Sequence, residues 1–406
     1  MARTRRLTGL LQPRLGEDAA DAHHQEADDV TEIGIAGADF LVDGHPTYEG
    51  RSFEGHRIEG LLFNVRAVQA SFDDANPETR SLWAYPDTGE WDPERNVTEF
   101  CEALSTWKDH GVLGFTINFQ GGGPYYEPIV YKAFDNNGFT PDGTLKPDYA
   151  DRIGRILQRA DELGMVPIVG IFYASHIVKL DDDEAMWRAA DNALDFLAST
   201  GLRNLIVEYA NEIEVIHKVT RNDLYAAGNA HFLIDRLRAS HPEFIYTVSH
   251  AGASPESGRG IPSPELVEAV DFVCIHGNGC KEERLARAID AVKAMPAYRA
   301  RPKPILINED SPAVENLDVS WRRGVSWGYY DQGFAGEGGW RGDAWVDFSA
   351  RPRESRFAEL SGFQTPPVNW TINTDYKRAF FNRVAEVTGT STSESTGENE
   401  RAITAP

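Results

Sequence analysis

Short apolar runs alternate with longer amphipathic stretches along most of the chain. The apolar runs are bounded by turn-forming residues and rich in β-branched and aromatic residues, which predicts β-strands; they span 58–65, 112–119, 165–173, 204–210, 244–250, 271–277, 303–309 and 324–330. Helical patterns separate them, at 93–110, 147–163, 183–199, 221–240, 263–269, 282–295, weakly at 315–323, and at 375–387. Several strands, such as "MVPIVGIFY", are apolar throughout, which is typical of a parallel sheet buried on both faces.

This alternation of strands and helices predicts a closed barrel. Eight strands with intervening helices fit an α/β (β/α)8 TIM barrel better than an open sheet, and such barrels commonly take more than about 250 residues as one domain. We expect residues 31–388 to form this single barrel domain, with a short N-terminal hairpin at 40–50 around Asp43 and Gly44. The acidic segment 1–30 and the polar tail 389–406 are predicted to be disordered.

The charge of the chain argues against two classes of partner. The 63 acidic and 40 basic residues give a formal net charge of −23, whereas a nucleic-acid backbone or an anionic membrane needs positive surface. No apolar run is long enough to span a membrane, and "LTGLL" near the N-terminus is too short for the core of a signal peptide. The sequence predicts a cytoplasmic protein without nucleic-acid or membrane partners; secretion and oligomeric state stay open.

Three smaller features narrow the chemistry. Only nine of the 40 basic residues are lysine, which is typical of a salt-adapted surface and equally of a GC-rich genome. Cys101, Cys274 and Cys280 are widely spaced, so neither a disulfide framework nor a zinc site is indicated. The acidic run "KLDDDEAMW" could bind calcium, but acids complement the positive end of a helix, and we interpret the run as a helix start.

Polar side chains stand at the C-terminal ends of nearly all of the predicted strands. In a barrel these ends meet at one rim, where the loops carry the chemistry. A barrel that served only as a scaffold would not need so many hydrogen-bonding groups there, so a functional site at the rim is predicted. The rim residues are Asn64, Arg66, Asn118, Gln120, His176, Asn211, Glu212, His250, His276, Asn278, Glu309, Asp310, Trp327 and Tyr329.

Two of the strands end in a glutamate, "LIVEYANE" at Glu212 and "PILINED" at Glu309. If both strands belong to one barrel, the two carboxylates face each other across its top, as in enzymes that cleave glycosidic bonds. One carboxyl must be protonated to donate to the leaving oxygen while the other stays ionised, and differences in burial and hydrogen bonding can set this difference. Asn211 then offers an amide to a sugar hydroxyl, and Asp310 stays an alternative to Glu309.

"YANE" and "LINE" resemble the ends of strands four and seven in glycoside hydrolase clan A, the retaining barrel enzymes that include the cellulase-like families. The segment 58–96 also resembles uncharacterised cellulase-like proteins, so the resemblance spans roughly 40–388. The resemblance implies that Glu212 is the acid/base, Glu309 the nucleophile and Asn211 a substrate-binding amide. It also implies that His276 contacts the nucleophile and that Trp327 is the aromatic floor beneath the reacting sugar.

The chain departs from the pattern of these enzymes at two points. Ile213 stands where many members have proline, and the arginine expected near the end of the second strand is missing, with Arg66 as the nearest substitute. The Gly-rich stretch "FQGGGPYYEP" offers aromatic platforms on which a sugar could stack. The full set of predicted substrate-binding residues is Asn211, Arg66, His176, His250, His276, Asn278, Trp327, Tyr125 and Tyr126.

The sequence therefore predicts a retaining glycoside hydrolase that acts on an oligosaccharide or glycoside by double displacement through two glutamates, without a metal or cofactor. A catalytically inactive sugar-binding barrel is one alternative, and a transglycosylase or lyase with the same carboxylates is another. The three rim histidines are a weaker alternative as a metal site, because they do not follow a ligand motif. A carbohydrate is the expected partner of the hydrolase, of the inactive sugar-binding barrel and of the transglycosylase or lyase.

Overall fold

The structure is a computed structural model that describes residues 30–122, 134–331 and 362–390, together with the backbone of two strands between 338 and 347. The strands are β1 (Ile33–Ala36), β2 (Asp39–Val42), β3 (His45–Pro46), β4 (Ser52–Phe53), β5 (His56–Arg57), β6 (Asn64–Arg66), β7 (Gly114–Asn118), β8 (Val166–Phe172), β9 (Ile206–Ala210), β10 (Tyr246–Thr247), β11 (Val273–Ile275), β12 (Ile305–Ile307), β13 (Gly328–Tyr329), β14 (Gly339–Arg341) and β15 (Ala344–Val346).

The helices are α1 (Pro93–Asp109), α2 (Pro147–Glu162), α3 (Ala174–Ile177), α4 (Asp183–Ser199), α5 (Ile213–Thr220), α6 (Ala230–Ser240), α7 (Pro264–Ala269), α8 (Glu282–Ala294), α9 (Pro296–Ala300), α10 (Val314–Trp321) and α11 (Asp375–Thr388). Single 3-10 turns lie at Arg80–Trp83, Asp223–Tyr225 and Ala227–Asn229.

Within the described residues, the eight parallel strands β6 to β13 form a barrel. Strands β10, β9, β8, β7, β6 and β13 are hydrogen-bonded neighbours in that order, and β11 pairs with β12. A parallel bridge between Leu306 and Ser326 joins β12 to the segment that leads into β13. Between β10 and β11, the Asp271 N–H donates to the Tyr246 carbonyl at 3.0 Å. The α/β (β/α)8 barrel that the strand and helix pattern predicts is confirmed.

Apolar side chains fill the N-terminal end of the barrel. Phe40 of β2 is fully buried there and lies edge-on to Phe272, with ring centroids 5.6 Å apart. The N-terminal strands therefore cover this end of the barrel, and the C-terminal ends of the strands lie at the other end. The cluster comprises Ile33, Phe40, Leu62, Val166, Ile168, Ile206, Phe272, Cys274 and Leu306.

The covering strands include the predicted hairpin. β2 pairs antiparallel with β3, and Asp43 and Gly44 between them have φ values of 53° and 78°. Positive φ at both positions is the requirement of a tight type I′ turn, which explains why an Asp-Gly pair stands there. β1 pairs with β2 in the same small sheet, although the sequence pattern did not predict it, because "IGIA" is short and contains a glycine.

The helices pack around the barrel, and their starts follow the capping rules. Asp92 precedes α1, and its carboxylate accepts hydrogen bonds from two N–H groups of the first turn. Asp182 precedes α4 and accepts from the Ala185 N–H at 2.8 Å. The acidic run before α4 is therefore a helix start, as the sequence predicts. α11 ends at Thr388, where Gly389 adopts the left-handed conformation (φ 76°) that commonly closes a helix.

The prediction of one helix over 221–240 is wrong. Instead, α5 begins directly after Glu212 and ends at Thr220, and the next residue, Arg221, has a left-handed backbone (φ 58°). The Asn222 side chain then accepts from the Leu224 N–H at 2.9 Å and starts a turn. α6 begins only at Ala230. The pattern misses α5 because no capping side chain marks its start, as Glu212 makes no side-chain cap bond.

Candidate active site

Glu212 lies between the end of β9 and the start of α5. Its backbone is left-handed (φ 53°, ψ 69°), which costs a non-glycine residue roughly 1–2 kcal/mol. Its N–H donates to Ser249 Oγ at 3.0 Å, and the Ile213 N–H donates to the Ser249 carbonyl. Hydrogen bonds from the segment after β10 therefore hold this turn. The Glu212 carboxylate contacts His276, and 22% of the side chain is exposed.

Glu309 follows β12 and is more deeply buried, with 5% of its side chain exposed. One carboxylate oxygen, Oε2, lies 2.8 Å from Arg66 Nε. The other, Oε1, accepts a hydrogen bond from Asn278 Nδ2 at 2.6 Å. Both contacts come from donors, and one of them is a cation, so the surroundings of Glu309 stabilise a negative charge on its carboxylate.

His276 lies between the two glutamates. Its Nδ1 is 3.3 Å from Glu212 Oε1 and 3.7 Å from Glu309 Oε2. Burial lowers the pKa of this imidazole, but the charge of Glu309 and the hydrogen bond and charge of Glu212 outweigh burial, and the pKa is raised above its ordinary value. A ring nitrogen of His276 and one carboxylate oxygen from each glutamate lie within 4.8 Å of one another. The three side chains thus form one compact cluster at the end of the barrel.

Arg66 joins this cluster to neighbouring strands. Its side chain is fully buried at the end of β6, and its Nη2 donates to Asn211 Oδ1 at 2.9 Å. Asn211 precedes Glu212, so one guanidinium contacts both the Asn-Glu pair after β9 and the glutamate after β12.

Two tyrosines beside Arg66 were not predicted as site residues. The Arg66 guanidinium carbon lies 5.9 Å from the ring centroid of Tyr173 and 5.7 Å from that of Tyr330. Burial raises the pKa of Tyr173 well above its ordinary value, and the negative charge of Glu309 acts in the same direction, although Arg66 opposes both. Tyr173 directly follows β8 and Tyr330 directly follows β13, so position at a strand end was the signal that could have identified both.

Asp310, the alternative to Glu309, points toward Trp327 and Asn316 instead of toward Arg66 and Asn278. Its Oδ2 accepts from Trp327 Nε1 at 2.6 Å, and its two oxygens accept from Asn316 Nδ2 of α10 at 3.1 and 3.2 Å. Burial raises the pKa of Asp310 to about 7, against the lowering effect of these hydrogen bonds. The structure therefore brings Glu309, and not Asp310, into contact with Arg66 and Asn278.

The expectation that Trp327 forms the floor under the sugar needs correction. Trp327 is fully buried, donates to Asp310 and packs against Phe380 of α11 with ring centroids 5.8 Å apart. Side chains alternate between the two faces of a strand. Trp327 and Tyr329 both pack on Phe380 between barrel and helix, whereas Tyr330, one position further, lies against Arg66.

His176 and His250 do not join the cluster either. His176 Nε2 accepts from the Asn136 N–H at 3.2 Å, and burial lowers its pKa to about 3, so it is a neutral buried histidine. His250 Nδ1 lies 2.9 Å from Glu214 Oε1. Burial raises the pKa of Glu214, but the hydrogen bond and charge of His250 outweigh burial and lower it. Of the three rim histidines, only His276 contacts the catalytic candidates in the described part of the chain.

The remaining candidates fall into two groups. Asn211 and Asn278 lie in the cluster through their bonds to Arg66 and Glu309. Tyr125 and Tyr126 lie outside the described residues.

Two sets of side chains in the described ranges could offer ligands to a metal, Glu212 with His276 and Glu309, and Glu208 with Cys274 and His276. The first set is an unfavourable metal site, because Arg66 already places a positive charge against Glu309.

No family model matches the sequence, and no curated protein is significantly similar to it. Solved structures are similar in fold. A variant of the glycoside hydrolase family 5 mannosidase from Rhizomucor miehei superposes with a TM-score of 0.50 at 9% identity, over 88% of this chain and 98% of that one. The β-glycosidase BGL167 has a TM-score of 0.47 at 14% identity, over 84% and 99%. A broad-specificity endoglucanase from Clostridium longisporum has a TM-score of 0.45 at 10% identity, over 80% and 97%.

Among the described helices, none is long and apolar enough to cross a bilayer. The likeness to solved structures concerns the fold, and the closer resemblance to cellulase-like proteins stays a prediction. The chain has the (β/α)8 barrel fold of glycoside hydrolase family 5 enzymes.

Proposed function

We propose that the protein is a retaining glycoside hydrolase. The observation that supports this most strongly is the cluster of Glu212, His276 and Glu309, in which one carboxylate oxygen of each glutamate lies within 4.8 Å of the other. Retaining enzymes hold their two carboxyl groups about 5–5.5 Å apart, whereas inverting enzymes leave about 6.5–9.5 Å for a water. Two carboxylate oxygens within 4.8 Å of each other leave little room for a water between them, which supports direct attack by one carboxylate on the anomeric carbon.

The surroundings of the two glutamates suggest their roles. Glu309 is the nucleophile, because Arg66 and Asn278 hold it in place and stabilise its negative charge. Glu212 is the acid/base, because its more exposed carboxyl can reach both a leaving oxygen and an incoming water. In the first step Glu309 bonds to the anomeric carbon while Glu212 donates its proton to the departing oxygen. In the second, Glu212 takes a proton from water, whose oxygen displaces Glu309.

The neighbouring side chains complete the proposed site. Asn211 Oδ1 accepts from Arg66, so its amide NH2 is the group that it offers to a sugar hydroxyl. Tyr330, beside Arg66, takes the position beneath the sugar that the sequence assigned to Trp327. The mannosidase that shares the fold is a glycosidase, and we propose a carbohydrate or glycoside as the substrate class here. Both glutamates lie in one cluster, which favours an enzyme over an inactive sugar-binding barrel.

The test compares wild-type protein with two variants on a panel of aryl glycosides and oligosaccharides. Glu309→Ala should lose turnover, and azide or formate should restore part of it by replacing the nucleophile. Glu212→Ala should act only on substrates whose leaving group needs no proton, such as dinitrophenyl glycosides. Glu315→Gln, which changes an exposed acid at the start of α10, is the matched control and should behave like wild type. Near-native activity of both alanine variants on an unactivated substrate contradicts the proposal.

A further inference from the structure

Glu208 is a buried acid that the proposed reaction does not use. It lies on β9, four residues before Glu212, and is fully buried. Asn308 Nδ2 donates to its Oε2 at 2.8 Å, whereas its Oε1 has no hydrogen-bond partner among the described residues. A buried carboxylate is costly unless a positive charge or donors compensate it. Glu208 therefore needs a counter-charge within the barrel.

His276 also has a buried polar atom that lacks a partner. Its Nδ1 faces Glu212 and Glu309, and its Nε2 is buried without a hydrogen-bond partner in the described ranges. A ring nitrogen of His276 and a carboxylate oxygen of Glu208 lie within 4.8 Å of each other. A separation of at most 4.8 Å suits a charge pair that is in contact, is bridged by one water or closes by a small side-chain movement.

The third group near this pair, Cys274, fits a metal site poorly. A structural zinc ion takes the deprotonated thiolate, but burial and the charge of Glu208 raise the pKa of Cys274 well above its ordinary value. Its Sγ donates to Asn308 Oδ1 at 3.2 Å, as a neutral thiol does. The positive charge of Arg66 is also near, and it acts to lower the pKa of Cys274. A charge pair between Glu208 and His276 therefore explains the arrangement better than a bound cation.

Arg66 and His276 are the two basic groups near Glu208. Arg66 and Glu208 interact through their charges, but Arg66 is already paired with Glu309, with Nε 2.8 Å from Oε2. His276 is therefore the basic group that is left to pair with Glu208. The described groups that face or influence His276 are Glu208, Glu212, Cys274, Glu309, Asp310 and Arg66.

We propose that Glu208 is the counter-ion of His276 and a positioning residue of the active site. It keeps the imidazole protonated on both nitrogens, with Nδ1–H directed at Glu212 and Glu309. A neutral imidazole could instead accept the proton of Glu212 on Nδ1, which would remove the acid that the leaving oxygen needs. The consequence for catalysis rests on the proposed glycosidase function, whereas the protonation of His276 does not.

The protonation of His276 can be measured without a substrate. Histidine labelled with 15N would report each of the 11 histidines in a pH titration by NMR, and the signal absent from His276→Asn would assign residue 276. In the wild type we expect His276 to be doubly protonated at about pH 7, above the ordinary pKa of ~6.5. A neutral His276 in the wild type at that pH overturns the proposal even if no variant folds.

Glu208→Gln removes the charge and keeps an oxygen to accept from Asn308. We expect the pKa of His276 to fall by about one unit or more in this variant, and Glu208→Asp to restore part of the shift. Asp74→Asn is the control, because Asp74 is a buried acid in another hydrogen-bond network, with Thr79 and Trp83. It should leave the titration of His276 unchanged while it lowers stability. An unchanged pKa of His276 in folded Glu208→Gln overturns the proposal, as does stoichiometric zinc in the purified wild type.

If the protein hydrolyses glycosides, kcat should fall in Glu208→Gln more than KM rises, and the basic limb of the pH–rate profile should move to lower pH. A fall in stability with an unchanged pH–rate profile contradicts the positioning role. The two proposals fail separately. Absence of hydrolysis in the wild type contradicts the proposed function, while the NMR titration still decides whether Glu208 is the counter-ion.

Discussion

Replacement of Asp310 by asparagine should remove a large part of the pH dependence of stability. Asp310 is buried, with hydrogen bonds from Trp327 and Asn316, and burial raises its pKa to about 7 in spite of these hydrogen bonds. In the unfolded chain the same carboxyl titrates near ~3.9. Between these two pH values the folded protein binds more protons at this position than the unfolded chain does.

The sign and size of the effect follow from this difference. Where the folded state binds more protons, the free energy of unfolding falls as the pH rises. The interval from about 4 to about 7 is roughly three pH units, and each unit corresponds to about 1.4 kcal/mol, so ionisation of Asp310 costs about 4 kcal/mol by pH 8. Asparagine cannot ionise. Relative to wild type, Asp310→Asn should gain about 4 kcal/mol between pH 4 and pH 8.

The assay is urea denaturation of both proteins at a series of pH values, followed by tryptophan fluorescence. The other titrating groups cancel in the difference between the two proteins. Asp74→Asn serves as the control, since it removes a buried carboxylate that accepts from the Trp83 indole at 2.6 Å, and its difference should not follow the curve of Asp310→Asn. A difference between Asp310→Asn and wild type that stays constant from pH 4 to pH 8 would refute the reasoning.

Three further predictions concern the aromatic residues and the surface. Trp327→Phe should lower the free energy of unfolding by about 1–3 kcal/mol, because Asp310 loses the indole donor, and should leave KM unchanged. A raised KM with unchanged stability would show instead that Trp327 contacts the substrate. Tyr330→Ala should lower kcat/KM about tenfold or more, through loss of a contact worth about 1–2 kcal/mol beside Arg66; wild-type kinetics would remove Tyr330 from the site. The net charge of −23 predicts that the melting temperature rises as salt increases from near zero to about 1 M, where the Debye length is ~3 Å; a flat or falling curve contradicts salt adaptation.

The strands and the catalytic candidates could be predicted because their signals are local. Each barrel strand is a short apolar run, and the polar residue that ends it marks the functional rim. "YANE" and "LINE" end two such strands, and the folded chain brings Glu212 and Glu309 within 4.8 Å of each other. The hairpin around Asp43 and Gly44 is equally local, since the turn demands positive φ at both residues.

Side-chain direction was harder to predict than strand position. Trp327 and Tyr330 lie three residues apart near the last strand, so they point to opposite faces, and the sequence pattern alone did not say which face was inner. In the folded chain, Gly328 shows which face is the inner one. A Cβ at this position would lie 2.2 Å from Asn64 Oδ1 inside the barrel, so Gly328 faces inward and Trp327 faces outward.

Contacts between side chains that are far apart in the chain could not be predicted from the sequence. Arg66 contacts Glu309, which is more than 200 residues away in the chain, and Glu208 pairs with Asn308 from the opposite side of the barrel. Such contacts depend on how the barrel closes and not on any local spacing. The sequence could still have marked Glu208 in "LIVEYANE" as a residue with a buried partner, because a charged residue within an otherwise apolar buried strand requires one.

The most direct test of the proposed function is the stereochemistry of the first product. Hydrolysis of an aryl glycoside that the wild type accepts would be followed by 1H NMR from the earliest time points, before the free sugar equilibrates between its anomers. The close placement of Glu212 and Glu309 predicts that the first sugar released keeps the anomeric configuration of the substrate. Release of the opposite anomer would contradict double displacement through Glu309, and absence of hydrolysis across the whole panel would contradict the enzyme itself.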